Sequence, residues 1–174
     1  MPLRSIIKML QQDHLKSLKI ERGYIGDEDW NTIIHAIKAN QNLREVHLGD
    51  NVGANRAPQL ANALKGNKAL TSISVISPIL TREGEEQIIQ ALLDPPHPNL
   101  LAAQIWHDGD GDRPVSPLQA KLETMIEENN TKASQLAATA KHYDEVPATP
   151  VQDALRRRSP AVHSVLGSKT GFTR

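Results

Sequence analysis

The 174-residue chain contains no cysteine. That excludes disulfides, thiolate metal sites and a cysteine nucleophile, so stability has to come from packing, and a reducing compartment is the expected setting. Aromatic residues are nearly as scarce, with two tryptophans, two tyrosines and one phenylalanine. So few rings argue against a stacking platform for single-stranded nucleic acid. Net charge is missing as well: Lys plus Arg and Asp plus Glu both total 20, which gives no overall bias toward nucleic acid or an anionic membrane. The balance conceals a gradient. From Val151 onward Arg156, Arg157, Arg158, Lys169 and Arg174 stand against the single acid Asp153, leaving the first 150 residues at a net −4. Long apolar runs are absent too. The N-terminus MPLRSIIKMLQQDHLKSLKI lacks the apolar block of a signal peptide, and no stretch approaches the ~20 apolar residues of a membrane span. The expectation is a soluble, cytoplasmic protein in which the glycosylation sequon Asn129 to Thr131 never meets the modifying machinery.

What the chain does have is a repeat. LKSLKI from Leu15, LREVHL from Leu43, LTSISV from Leu70 and LLAAQI from Leu100 align at spacings of 28, 27 and 30 residues. Each is apolar at its first, fourth and sixth places: Leu15, Leu18, Ile20; Leu43, Val46, Leu48; Leu70, Ile73, Val75; Leu100, Ala103, Ile105. Alternation of that kind predicts a short strand with one buried face. Between strands the period becomes helical, in Trp30, Ile33, Ile34, Ile37; in Leu60, Ala61, Leu64; in Ile88, Ile89, Leu92; and in Leu118, Leu122, Met125, Ile126. Gly66-Asn67 predicts the stop of one helix. Ser116-Pro117-Leu118-Gln119 predicts the start of the last, with a cap serine, a first-turn proline and a glutamine placed to complete a capping box.

Strand and helix alternating at just under thirty residues resemble the leucine-rich repeat, specifically its ribonuclease-inhibitor-like class. The implied fold is α/β: a short solenoid or arc of about four strand–helix repeats, with a parallel sheet on the concave side and helices on the convex side. The best-formed unit is LREVHLGDNVGANRAPQLANALKGNKAL, where Asn51 occupies the place of the family's asparagine ladder. Gly23, Pro78 and Asp108 stand there in the other units, a departure that puts a continuous ladder in question. The ending IEENN (Ile126 to Asn130) is similar to the tropomodulin end of the class. Since a repeat buries its apolar face only against neighbours, three or more are needed and the ends require covers. The organisation expected is a capping helix over 1–14 carrying Ile6, Ile7, Met9 and Leu10, and a repeat domain over 15–130 with repeats starting near 15, 43, 70 and 100. A C-terminal capping helix follows over 131–146, with Leu136, Ala137, Ala140 and Tyr143, and then a flexible basic tail over 147–174.

In such a solenoid the side chains between the buried positions face the concave surface, where the family binds protein partners. Three columns follow from the register: Ser17, Glu45, Ser72, Ala102; Lys19, His47, Ser74, Gln104; and Glu21, Gly49, Ile76, Trp106. The candidate protein-binding residues are Lys19, Glu21, Glu45, His47, Ser72, Ser74, Ile76, Gln104 and Trp106. Ile76 and Trp106 are expected on adjacent rungs, roughly 5 Å apart. Trp106 then serves either as a binding anchor or as a cap over the open end of the core.

Chemistry has little support. His47, Glu45 and Lys19 on an exposed sheet lack the enclosure that shifts pKa values, and no serine elbow, phosphate-binding glycine loop or zinc motif occurs. The run His107-Asp108-Gly109-Asp110-Gly111-Asp112 mimics the opening of a calcium loop. Counted from Asp108, the required glycine and glutamate fall on Arg113 and Gln119, so the run reads as a strand-to-helix turn. Asp94-Pro95-Pro96-His97-Pro98-Asn99 is a proline-stiffened connection, either a spacer or a second contact site. No cofactor, metal or catalytic residue is expected, and the protein is expected not to be an enzyme. The main functional expectation is a protein-protein interaction module. One version is a bacterial effector acting on a host protein, translocated by a C-terminal signal in the tail that holds Phe172. The alternatives are an actin-regulating protein like tropomodulin, for whose tropomyosin-binding part the chain lacks room, and a calcium-binding or hydrolytic protein.

Overall fold

Apolar residues two apart build the four strands, and apolar residues three and four apart build the helices between them. The computed structural model describes residues 3–21, 23–106 and 116–145, with side chains as far as residue 140. The elements run α1 (Leu3–Gln11), β1 (Ser17–Ile20), α2 (Asp27–Ala39), β2 (Glu45–Leu48), α3 (Ala57–Gly66), β3 (Ser72–Ile76), α4 (Arg82–Leu93), β4 (Ala102–Trp106) and α5 (Pro117–Glu145). The strands form one parallel sheet in chain order, each joined to the next through a helix. This is the alternating α/β solenoid that the repeat implies. Residues Met1–Ser134 make one compact unit and Gln135–Arg174 a second, whose described residues are the end of α5.

The register is the one the sequence alignment demands. Leu18 pairs with Val46, Val46 with Ile73 and Ile73 with Ala103; Ile20, Leu48, Val75 and Ile105 form the parallel row. These side chains meet the helices' inner stripes. Trp30, Ile33, Ile37, Leu60, Leu64, Ile88, Ile89, Leu92 and Leu122 are all buried in one continuous core. The leucines at the first place, Leu43, Leu70 and Leu100, are fully buried just ahead of their strands. At the N-terminal end α1 places Ile7 and Leu10 in the core and packs against α2.

Helix ends follow local chemistry. Asp27, Glu28 and Asp29 occupy the first turn of α2, where the positive end of the helix dipole favours them. Thr81 caps α4 by accepting from the Gly84 amide at 3.2 Å. The cap at Ser116 forms, its Oγ accepting from the Gln119 amide at 3.1 Å, but the box does not close. Gln119 Nε2 donates forward to Glu123 Oε1 at 3.3 Å instead. Gln119 Oε1, the atom that would accept from the Ser116 amide to close a box, takes no hydrogen bond. Beyond Asn130, where a separate covering helix was expected, the chain continues α5 as far as Glu145. Residues 131–140 are exposed, and Leu136 is 72% so.

Candidate protein-binding face and the edges that hold it

The side chains not taken by the core line the open face of the sheet, away from the helices. Sheet pairing sets them in rows: Ser17, Glu45, Ser72 and Ala102; Lys19, His47, Ser74 and Gln104; and Ile76 beside Trp106. Every candidate residue therefore lies on this one face or at its border. At the β1 end the face is ionic. Lys19 Nζ lies 2.8 Å from Glu21 Oε1, and His47 Nε2 reaches the same oxygen at 3.8 Å. Both partners of the Lys19–Glu21 pair are more than half exposed, so it adds little stability. The middle of the face carries the half-buried Ser72 and Ser74. At the β4 end it becomes apolar, with Ile76 37% exposed and Trp106 59% exposed.

Gly49 separates the two ends. A Cβ on it would stand 2.1 Å from the Glu21 carbonyl oxygen, inside any allowed contact, because its amide donates to Ile20 O at 2.8 Å and draws the two chains together. The row after the sixth place is thus interrupted between Glu21 and Ile76 by a position that only glycine fits.

Two structures bordering the face were not expected. The first lies where chains leave helices and start strands. Asn40, Asn67 and Asn129 are buried there with His97 between them. Asn40 Nδ2 donates to Leu10 O at 3.0 Å while its Oδ1 accepts from the amides of Asn42 and Leu43, at 2.9 and 2.6 Å. Asn67 repeats the pattern one rung on. Its Nδ2 donates to Ile37 O (2.6 Å) and Asn40 O (3.0 Å), and its Oδ1 accepts from Ala69 and Leu70. His97 Nε2 donates to Asn67 O at 2.7 Å. Asn129 Nδ2 closes the series on His97 O and Leu100 O, at 2.9 and 3.0 Å. Asn40 reaches back to α1, Asn67 to the end of α2, His97 to Asn67 and Asn129 to His97, which makes this a side-chain ladder across the unit.

The sequence carried a signal for it. Asn40, Asn67 and His97 each stand three residues before a consensus leucine. The reading of Asn51 as a ladder residue is correct only locally. Its Oδ1 accepts from the Ile25 amide at 3.2 Å, and its buried Nδ2 has no partner among the described residues. The proline-rich connection is likewise more than a spacer, since His97 within it is 1% exposed and is a ladder member. The sequon at Asn129 is structural as well, because the amide nitrogen that a glycan would occupy is buried and makes two hydrogen bonds.

The second unexpected structure lies where strands run into helices. Arg56 Nη2 donates to Ile25 O at 2.6 Å and to Asp27 Oδ1 at 2.7 Å, and Nη1 donates to Asn51 O at 3.3 Å. Its guanidinium also stands 5.0 Å above the Trp30 ring. Trp30 Nε1 in turn donates to Gln59 Oε1. One arginine therefore ties the start of α2 to the loop before α3.

No cluster of three or more histidine and acidic side chains able to hold a metal occurs among the described residues. The acidic run His107 to Asp112 lies outside them. No helix among them is long and apolar enough to cross a membrane.

The sheet, the repeat register and the helices on one face define a leucine-rich-repeat type of solenoid. No protein-family profile matches the sequence, and no curated protein does. Among solved structures the chain is similar to actin-binding site 2 of leiomodin-1, with a TM-score of 0.51 at 14% identity, over 83% of this chain and 99% of that one. It is similar also to the tropomodulin C-terminal domain of Caenorhabditis elegans, with a TM-score of 0.50 at 14% identity, over 80% of this chain and 99% of that one. The likeness is one of fold.

Proposed function

We propose that the repeat unit is a non-enzymatic protein-binding module and that actin is its partner. The observation carrying the first part is the Ile76–Trp106 pair, an exposed tryptophan and isoleucine side by side on adjacent rungs of an otherwise polar face. Exposed aromatic residues of that kind anchor interfaces because they bury a large rigid surface at little entropic cost. The second part is supported by the fold likeness to a leiomodin-1 fragment that is by name an actin-binding site. Arrays of this type present an extended surface built from several repeats, suited to a large partner rather than a small ligand.

The test is co-sedimentation with actin filaments together with elongation assays in which barbed ends are capped. The wild-type chain should pellet or alter pointed-end growth. The double variant Ile76→Ala, Trp106→Ala should lose about tenfold or more in affinity with its thermal unfolding unchanged. A wild-type chain that neither pellets nor alters growth excludes actin; a double variant that binds as well as wild type excludes this face.

A further inference from the structure

Three of the four ladder residues cannot titrate, and the fourth can. In Asn40 and Asn67 the amide works in both directions, the nitrogen reaching back to the previous repeat and the oxygen holding the amides that lead into the next strand. His97 performs only the backward half. Its Nε2 donates to Asn67 O at 2.7 Å, while Nδ1 is buried with no hydrogen-bond partner. The ring must therefore be the neutral tautomer with its proton on Nε2. Protonation would add a donor at Nδ1 inside a residue that is 1% exposed and has nothing there to receive it.

Lys68, on the connection between α3 and β3, carries the same sign as an imidazolium and opposes it. The elements around His97 carry further charged groups, among them Lys65 of α3, Asp94 at the end of α4, and Glu128 and Lys132 of α5. All four are exposed, and the last two are paired with each other at 3.9 Å. Asn129 uses the His97 carbonyl as its own acceptor, so a movement of His97 disturbs the joint on both sides. What lies past the joint is the most weakly buried repeat. Ala103, Leu118 and Ile126 are only partly covered.

We propose that the joint between the third and fourth repeats is an acid-operated latch: protonation of His97 unfastens β4 and the first half of α5, carrying Trp106 with them, while the first three repeats stay folded. Burial lowers the proton affinity of His97 in the closed form, the bond to Asn67 opposes this in part, and Lys68 lowers it further. The sign follows. Above the ordinary histidine pKa neither the closed nor the open form binds the proton, and closure is at full strength. As pH falls through about 6.5 the open form takes up the proton first, so closure weakens by up to about tenfold per pH unit until the lower pKa of the closed form is passed.

Hydrogen exchange of the full chain at about pH 7.5 and about pH 5, corrected for intrinsic rates, tests this. Segments within 94–106 and 116–134 should open more often at the lower pH, by up to about tenfold for each pH unit below about 6.5, with β1 to β3 unchanged. The variant His97→Asn, which supplies the amide used elsewhere in the ladder, should lose that difference, and His97→Gln serves should it fail to fold. Uniform loosening of all four repeats on acidification overturns the proposal, as does an acid response in those segments that survives in either folded variant.

Discussion

The two edges of the sheet solve the same problem differently. Both must join repeats whose polar backbone turns are buried, and both contain asparagines. At the edge where strands begin, Asn40, Asn67 and Asn129 reach across to the preceding repeat with short hydrogen bonds. At the edge where they end, Asn51 makes one bond at 3.2 Å and leaves its nitrogen unpaired, and Arg56 serves a single joint. The first edge is a repeated device; the second is local. Apart from Leu136 in α5, the exposed large apolar side chains among the described residues follow the same division, since Tyr24, Ile76, Ile79 and Trp106 all lie at or beyond strand ends. Regular fastening on one edge leaves the other free to differ from repeat to repeat, and loops that differ are where specific binding is built.

Three substitutions break or sharpen that contrast. The largest effect is expected at the start edge. Asn67→Ala orphans Ile37 O, Asn40 O and the amides of Ala69 and Leu70 in a fully buried site, which should destabilise the unit by about 3 kcal/mol and lower its melting temperature by about 10 °C. Next comes Gly49→Ala at the end edge. Its methyl group would press on the Glu21 backbone, and parting β1 from β2 should cost about 2 kcal/mol, read in a urea unfolding curve as a lower midpoint at constant slope. Smallest is Asn51→Ala, expected at about 1 kcal/mol because one long bond is lost and an already unpaired nitrogen is removed with it. Calorimetry that ranks Asn51→Ala with Asn67→Ala would erase the distinction between the edges.

The fold was legible because apolar periodicity is a local signal. The triplets Leu43, Val46, Leu48 and Leu70, Ile73, Val75 mark strands without knowledge of what they touch, and their alignment also set the register that places Ile76 beside Trp106. The ladder was harder to read. Asn67 looks like an ordinary helix stop, and its role depends on carbonyl oxygens some thirty residues away, at Ile37 and Asn40. His97 was harder again, since a histidine among prolines reads as a loop residue until its burial is seen. The family pattern drew attention to Asn51, on the other edge. Gln119 shows a smaller version of the same limit, because the capping motif is present in the sequence and Glu123 takes the side chain.

Asn129 differs from its counterparts in one respect: the chain around it stays helical through Glu145 instead of turning into a strand. Three residues after Asn40, Asn67 and His97 comes a leucine; three residues after Asn129 comes Lys132. A buried leucine at that place is what pulls the backbone out of the helix and under the sheet, and lysine has no reason to go there. Among the described residues the alternation therefore stops here, with an amide that fastens backward to His97 and Leu100 followed, three places on, by a residue that starts no strand.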